Sequence, residues 1–246
     1  MKRIMLPIVV VIAAILTLVA TVLGWYAWRS NAETASFRPD PSGEIMPGVF
    51  ALRDDFVDCW FIKGSDGWVA IDTGLDPAVL TANMSRFGID PAVVKGVLLT
   101  HSDYDHADGL AALPGVPVFI GSDEEQMVNG QAARAFIFHN NPLPPHQFLA
   151  DRQKVSIAGL TFTAINVPGH TPGSVCWLTD DGQLFTGDAI SIQEGRMADS
   201  SDFFNRDSIQ AHKSQDRLRR LKGVTAVFTA HHGHSADPAT LFSQLP

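Results

Sequence analysis

Cysteine is scarce in this sequence: 246 residues hold two, Cys59 and Cys176, and no Cys-x-x-Cys pair. That excludes a disulfide-dense scaffold and a thiolate-built zinc site. Both cysteines lie in apolar, strand-like surroundings, where two buried free thiols are the simpler reading and one disulfide the alternative. Basic residues are also few, 18 Lys and Arg against 26 Asp and Glu, for a formal net charge of −8. Residues 1–30 contain Lys2, Arg3 and Arg29 and no acid, so the remainder is more acidic still. Such a surface repels phosphate backbones, and no nucleic-acid partner is expected. Internal repeats are lacking. With 46% apolar and 18% charged residues, the composition also excludes a disordered chain.

The one long hydrophobic run is residues 4–23, interrupted by Thr17 and Thr21 and carrying Pro7 near its start. As a helix, 20 such residues span roughly 30 Å, the thickness of a bilayer core. Lys2 and Arg3 precede the run, and Trp25, Tyr26 and Trp28 follow it as an interfacial aromatic belt. A secretory signal has a shorter apolar core, about 7–15 residues. Residues 1–29 therefore read as a transmembrane anchor or uncleaved signal, with cleavage near Ala32 or Ala35 as the alternative. The basic N-terminus favours the cytoplasmic side. The lipid bilayer is then a partner, and the soluble part lies outside the cytoplasm, anchored by a single pass or exported if the N-terminus is cut. Residues 30–47, polar and rich in Pro, Ser and Gly, read as a linker; residues 48–246 hold the folded domain.

Within that domain, strands are expected at 48–52, 57–63, 68–72, 94–100 and 116–120. Others follow at 154–157, 160–167, 174–179, 183–186 and 224–229. Helices are expected at 77–87, with Asp76 as N-cap and Pro77 in its first turn, and at 107–113, 207–221 and 238–244. Ser122 is expected to cap a short acidic helix. Residues 130–150, with Phe136, Phe138, His139 and His146 among several prolines, break the rhythm and read as an irregular insert, a candidate substrate lid.

Six of the nine histidines fall in three short motifs, each placed where an apolar strand ends. The first is His101-Ser102-Asp103-Tyr104-Asp105-His106. The second is Pro168-Gly169-His170-Thr171-Pro172-Gly173-Ser174, whose glycines and prolines force a tight turn. The third runs from Thr229 through Ala230, His231, His232 and Gly233 to His234. Between the last two, Thr186-Gly187-Asp188 ends a strand in an acid. Imidazoles and carboxylates fanned from strand ends can converge on one point, a donor set suited to Zn²⁺, Mn²⁺ or Fe.

Together with Ile71-Asp72-Thr73-Gly74, these motifs resemble the metallo-β-lactamase superfamily in order and spacing, from about residue 48 to the C-terminus. The resemblance implies an α/β fold, a four-layer αββα sandwich with metals at one edge, preceded here by one N-terminal transmembrane helix. It implies a catalytic domain over 48–246 with two divalent metal ions, zinc first, with manganese or iron as alternatives. His101, Asp103 and His170 would hold one ion. Asp105, His106 and His231 would hold the other, with His232 as the alternative C-terminal ligand. Asp188 would bridge the two, and Asp72 would stand behind the ligands and orient them. The family's usual loop is His-x-His-x-Asp-His; Asp103 replaces its second histidine and makes the site more anionic.

The expected activity is hydrolysis of an ester-like bond in a small molecule (a lactone, thioester, phosphoester or β-lactam) by a metal-bound hydroxide, with Asp105 as the catalytic carboxylate. Asp103 and the anchor weigh against a β-lactamase proper. Export and the short C-terminal part weigh against a hydroxyacylglutathione hydrolase. Two alternatives stand beside this reading: a mononuclear iron oxidoreductase of the same fold, resembling persulfide dioxygenases, and a non-catalytic metal-binding module.

Overall fold

The computed structural model describes residues 2–134 and 139–243. The chain forms two compact units, Met1–Phe37 and Arg38–Pro246. The first is helix α1 (Lys2–Thr34), whose stretch Ile8–Thr34 is long and apolar enough to cross a membrane. Its apolar side chains from Ile8 to Trp28 lie exposed. A membrane span and a signal sequence both fit that description. The helix continues past residue 29 into the expected linker. An Arg29–Glu33 ion pair one turn apart and a hydrogen bond from Thr34 Oγ1 to the Ser30 carbonyl (3.2 Å) carry it on.

The second unit is built on two sheets. Seven strands make the first, side by side in chain order: β1 (Gly43–Met46), β2 (Val49–Asp54), β3 (Val57–Lys63), β4 (Trp68–Ile71), β5 (Val94–Leu98), β6 (Val118–Gly121) and β7 (His146–Leu149). The second contains β8 (Lys154–Ile157), β9 (Leu160–Asn166), β10 (Val175–Thr179), β11 (Gln183–Phe185), β14 (Ala226–Phe228) and β15 (His234–Ser235), in the order β15-β14-β11-β10-β9-β8. A separate hairpin pairs β12 (Ser191–Gln193) with β13 (Arg196–Ala198).

Side-chain alternation along the strands produces the layers. On β3, Trp60 and Ile62 face the second sheet, and Cys59 and Phe61 face the other way, onto Leu80 and Met84 of α2 (Pro77–Arg86). On β10, Val175 and Trp177 join the same inter-sheet core as Trp60. Cys176 faces the opposite layer with Leu218 of α5 (Ser208–Arg219) and Leu241 of α6 (Pro238–Leu241). Helix, sheet, sheet, helix is the expected four-layer order. The cysteines thus point into opposite outer layers, and both are buried free thiols. Asp76 caps α2 as anticipated, accepting from the Ala78 N–H at 2.7 Å.

Several expectations need correction. Residues 30–47 are not a plain linker, because β1 pairs antiparallel with β2. Residues 130–150 are not wholly irregular, because β7 pairs in parallel with β6. Phe136 and Phe138 lie outside the described residues. His146 turns its Nδ1 to its neighbour, the Pro144 carbonyl (2.8 Å). Ser122 is not an N-cap: Gly121 occupies that position, and Ser122 is already inside a 3₁₀ turn, Ser122–Glu124, that leads into the short acidic helix α4 (Glu125–Val128). The helix expected at 107–113 is a short α3 (Tyr104–Ala107) followed by a 3₁₀ turn, Asp108–Ala112. The closing helix is described as Pro238–Leu241.

Asp58, fully buried on β3, has a titration consequence. Its Oδ2 accepts from the Asp40 N–H at 2.8 Å, and its Oδ1 has no partner among the described residues. Burial pushes its pKa up to about 8. The folded state therefore holds this proton more tightly than the unfolded chain. The resulting stabilisation is complete below about pH 4 and is lost as pH rises through 8, at roughly 1.4 kcal/mol per pH unit for one proton. Asp58→Asn keeps the acceptor and removes the charge. Its melting temperature should match wild type near pH 4 and exceed it at pH 8.5. Parallel melting curves across that range would refute the assignment.

Candidate metal centre

Four strand ends meet at one edge of the sandwich. Beyond β5 the backbone turns through His101 into α3; beyond β9 it makes the His170 turn; beyond β11 it reaches Asp188; beyond β14 it reaches His231. The two sheets are tied together at these ends. The indole N–H of Trp60, on the first sheet, donates to the Thr229 carbonyl at 3.2 Å. That of Trp177, on the second, donates to the Leu99 carbonyl at 3.1 Å. Gly187 holds a left-handed φ of +52°, and a Cβ there would lie 2.4 Å from Thr100 Oγ1. Only glycine fits immediately before Asp188.

The imidazoles are aimed from behind. His106 Nδ1 bonds Asp72 Oδ2 at 2.8 Å, and His231 Nδ1–H donates to the Phe56 carbonyl at 2.8 Å. His101 Nδ1 lies 3.0 Å from Thr100 Oγ1. With the Nδ1 atoms engaged, the Nε2 atoms are left to face the cavity. Asp72 also accepts from Thr100 N (2.7 Å) and Thr100 Oγ1 (2.8 Å). These bonds hold Asp72 at a left-handed φ of +58°, a conformation most side chains avoid.

Two pockets result. His101, Asp103 and His170 form one; Asp105, His106 and His231 form the other. Within each, one donor atom per residue lies within 4.8 Å of the others. Asp188 stands between them, with Oδ1 3.3 Å from His106 Nε2 and 3.2 Å from His231 Nε2, and Oδ2 3.2 Å from His170 Nε2. His101 Nε2, His106 Nε2 and Asp188 Oδ1 are buried without a hydrogen-bond partner. Orphaned lone pairs converging on a cavity are what a cation would satisfy, so the donor set fits a metal ion. Among the described clusters His231, not His232, is the C-terminal member. His234 is instead paired with Asp40, Nδ1 to Oδ2 at 2.7 Å.

The electrostatics differ between the pockets. Burial opposes charge on His106, yet Asp188, Asp105 and Asp72 raise its pKa well above the usual histidine value. His231 is raised in the same sense, burial again being outweighed by Asp188. This pocket draws positive charge. In the other, burial and the Arg134 guanidinium push His170 down to about 4. Asp103 is held well below the usual carboxylate range: burial works the other way and is outweighed by Arg134, His101 and His170.

Three residues at the site were not anticipated. Arg134 and Asn140, both from the insert, donate to Asp103 Oδ1 at 3.0 and 3.1 Å. Arg134 offered one sequence signal, a lone basic residue in the insert of an acidic chain. Glu124, fully buried, accepts from Ser102 on one side and from Thr171 and Gly173 on the other. Ser174, at the end of the His170 turn, accepts from the Thr171 N–H at 3.0 Å.

Comparison with known proteins agrees with this geometry. The family model for the metallo-beta-lactamase superfamily matches residues 52–234. A hydroxyacylglutathione hydrolase of Aeromonas hydrophila is 30% identical over 186 residues, covering 74% of this chain and 63% of that protein. The matched region is thus less than two thirds of that relative's length. Among solved structures, a metallo-beta-lactamase family protein from Thermus thermophilus superposes with a TM-score of 0.64 at 20% identity, over 80% of this chain and 78% of that one. A subclass B3 metallo-beta-lactamase of Bradyrhizobium japonicum superposes with a TM-score of 0.62 at 19% identity, over 79% of each chain. At such identities the superpositions speak for the fold alone. A family match spanning every strand-end motif, on an αββα sandwich whose donors converge at one edge, establishes that the chain belongs to the metallo-beta-lactamase superfamily.

Proposed function

We propose that this chain is a metal-dependent hydrolase of small-molecule thioesters. The observation that carries the reading is Asp188, which turns one oxygen to each of two pockets of inward-facing imidazole nitrogens. His101, Asp103 and His170 would hold one divalent ion, and Asp105, His106 and His231 the other, with Asp188 between them. Zinc is the first candidate and manganese or iron the alternatives, given nitrogen and carboxylate donors without thiolate. Divalent ions here supply Lewis acidity to a carbonyl and lower the pKa of water.

The chain's own residues do the rest. Asp105 Oδ2, 3.5 Å from His231 Nε2, is placed at the cavity to orient the attacking water and take its proton. Asp72 keeps the His106 ring in register. A thiolate leaves without needing a proton, so one carboxylate base suffices, which favours a thioester over an alkyl ester. The name of the curated relative, hydroxyacylglutathione hydrolase, supports the same substrate class. The complete Asp105–His106–His231 pocket weighs against the mononuclear iron oxidoreductase and the non-catalytic module. In this reading the catalytic unit, residues 48–246, sits outside the cytoplasm, held to the lipid bilayer by α1.

The test is thioester hydrolysis by the full-length chain in detergent before and after chelation. Activity should vanish on metal removal and return with Zn²⁺. Hydrolysis that survives a metal-free state confirmed by elemental analysis would sink the proposal.

A further inference from the structure

The pocket of His101, Asp103 and His170 already contains a cation. Arg134 forks onto the Asp103 carboxylate, its Nε on Oδ1 at 3.0 Å and its Nη2 on Oδ2. The same Nη2 lies 2.7 Å from His170 Nε2. Nη1 donates to the His170 carbonyl at 3.0 Å and to the Phe204 carbonyl. The guanidinium thus engages Asp103 and His170 on the atoms that an ion in this pocket would need. His170 Nε2 has a single lone pair, so while it accepts from the guanidinium it cannot ligate a metal, and an ion entering this pocket must displace Arg134.

The sequence explains why the pairing arises here. The family's usual loop has histidine where this chain has Asp103. An imidazole cannot accept a bidentate fork from arginine; a carboxylate can. The arginine is also held in place. Arg206 grips the Ala133 carbonyl, and the Ala132 N–H donates to the Gln126 carbonyl at 2.7 Å. In the first pocket Arg134 leaves only His101 Nε2 without a hydrogen-bond partner, whereas beside the second both His106 Nε2 and Asp188 Oδ1 lack one.

We propose that Arg134 is the resident counter-cation of the His101–Asp103–His170 pocket. The chain then takes its first divalent ion at Asp105, His106, His231 and Asp188, and a second enters only by displacing the guanidinium. The proposal rests on the metal-dependent reading above and adds an order of loading to it.

The experiment is Zn²⁺ binding to the chelator-stripped full-length chain in detergent, with free Zn²⁺ buffered by a competing chromophoric chelator and bound metal counted by mass spectrometry. Wild type should hold one ion over a range of free Zn²⁺ in which Arg134→Met holds two. The second ion should bind the variant roughly 10- to 100-fold more tightly, the competition expected from losing charge-assisted hydrogen bonds. If Arg134→Met no longer melts cooperatively, Asp103→His provides the same readout by removing the partner of the fork, and it too should load two ions at low free Zn²⁺. Equal affinity for two ions in wild type and in the folded variant overturns the role of Arg134 and leaves the hydrolase reading standing. Absence of bound Zn²⁺ in every protein overturns both.

Discussion

Replacing Asp188 with alanine should strip the chain of tightly bound metal and lower kcat/KM for thioester hydrolysis on the order of 10³-fold or more, the several kcal/mol that metal ions contribute to such transition states. The size of the effect follows from position. No other carboxylate faces three imidazole nitrogens from two pockets at 3.2–3.3 Å among the described residues. Burial raises the cost of its charge, but His231, His106 and His170 hold its pKa well below the usual carboxylate range. Its anionic form is therefore secured before any substrate arrives. Removing Asp103 would leave the second pocket whole, and removing Asp105 would leave the first; removing Asp188 damages both. Asp188→Asn tests whether charge or shape matters: it keeps the volume and should recover little metal. Metal content and rate must be measured together. Full metal retention in Asp188→Ala would show that the carboxylate does not bridge the pockets. Circular dichroism of the metal-free proteins separates that outcome from misfolding.

The features legible in the sequence were those set by short spacing. Strand-end histidines and acids, a Gly before Asp188 and Pro-Gly turns around His170 are local patterns, and all these residues gather at one edge. The alternation that buries β3 on both faces is likewise visible in a few consecutive residues. The sequence concealed what depends on distant partners. Strands β1 and β7 are four residues each, at opposite edges of the first sheet, and owe their existence to pairing with β2 and β6 rather than to their own pattern. Arg134 meets Asp103 across 31 residues and His170 across 36, separations at which a lone arginine in an insert carries no spacing signal. Ser122 failed as a cap for a related reason. Strand β6 continues as far as Gly121, where a Cβ would lie 2.5 Å from the Gly173 carbonyl, so the close approach of the His170 turn decides where the strand ends.

The same close approach makes Glu124 the position at which one buried substitution should cost most stability. Its side chain is fully buried and spans the two loops that carry His101 and His170. Oε1 accepts from Ser102 N at 3.0 Å and Ser102 Oγ at 2.7 Å. Oε2 accepts from Thr171 Oγ1 at 2.6 Å and Gly173 N at 3.0 Å. Two of the four donors are rotatable hydroxyls, but the other two, Ser102 N and Gly173 N, are fixed backbone N–H groups in turns with no ladder to satisfy them. Glu124→Gln preserves the volume but turns an NH₂ toward one donor pair, so donors face donors on one side. Glu124→Ala orphans all four. The cost should be roughly 3–5 kcal/mol for alanine, the range for leaving several buried donors of a charged acceptor unmet, and somewhat less for glutamine. Thermal melting of the metal-free chain in detergent measures it directly. Because the two loops lose their common anchor, the surviving folded protein should also bind Zn²⁺ more weakly, although Glu124 touches neither pocket. A melting temperature unchanged in Glu124→Ala would mean that water replaces the carboxylate at no cost, and the loops would then owe their alignment to the metal alone.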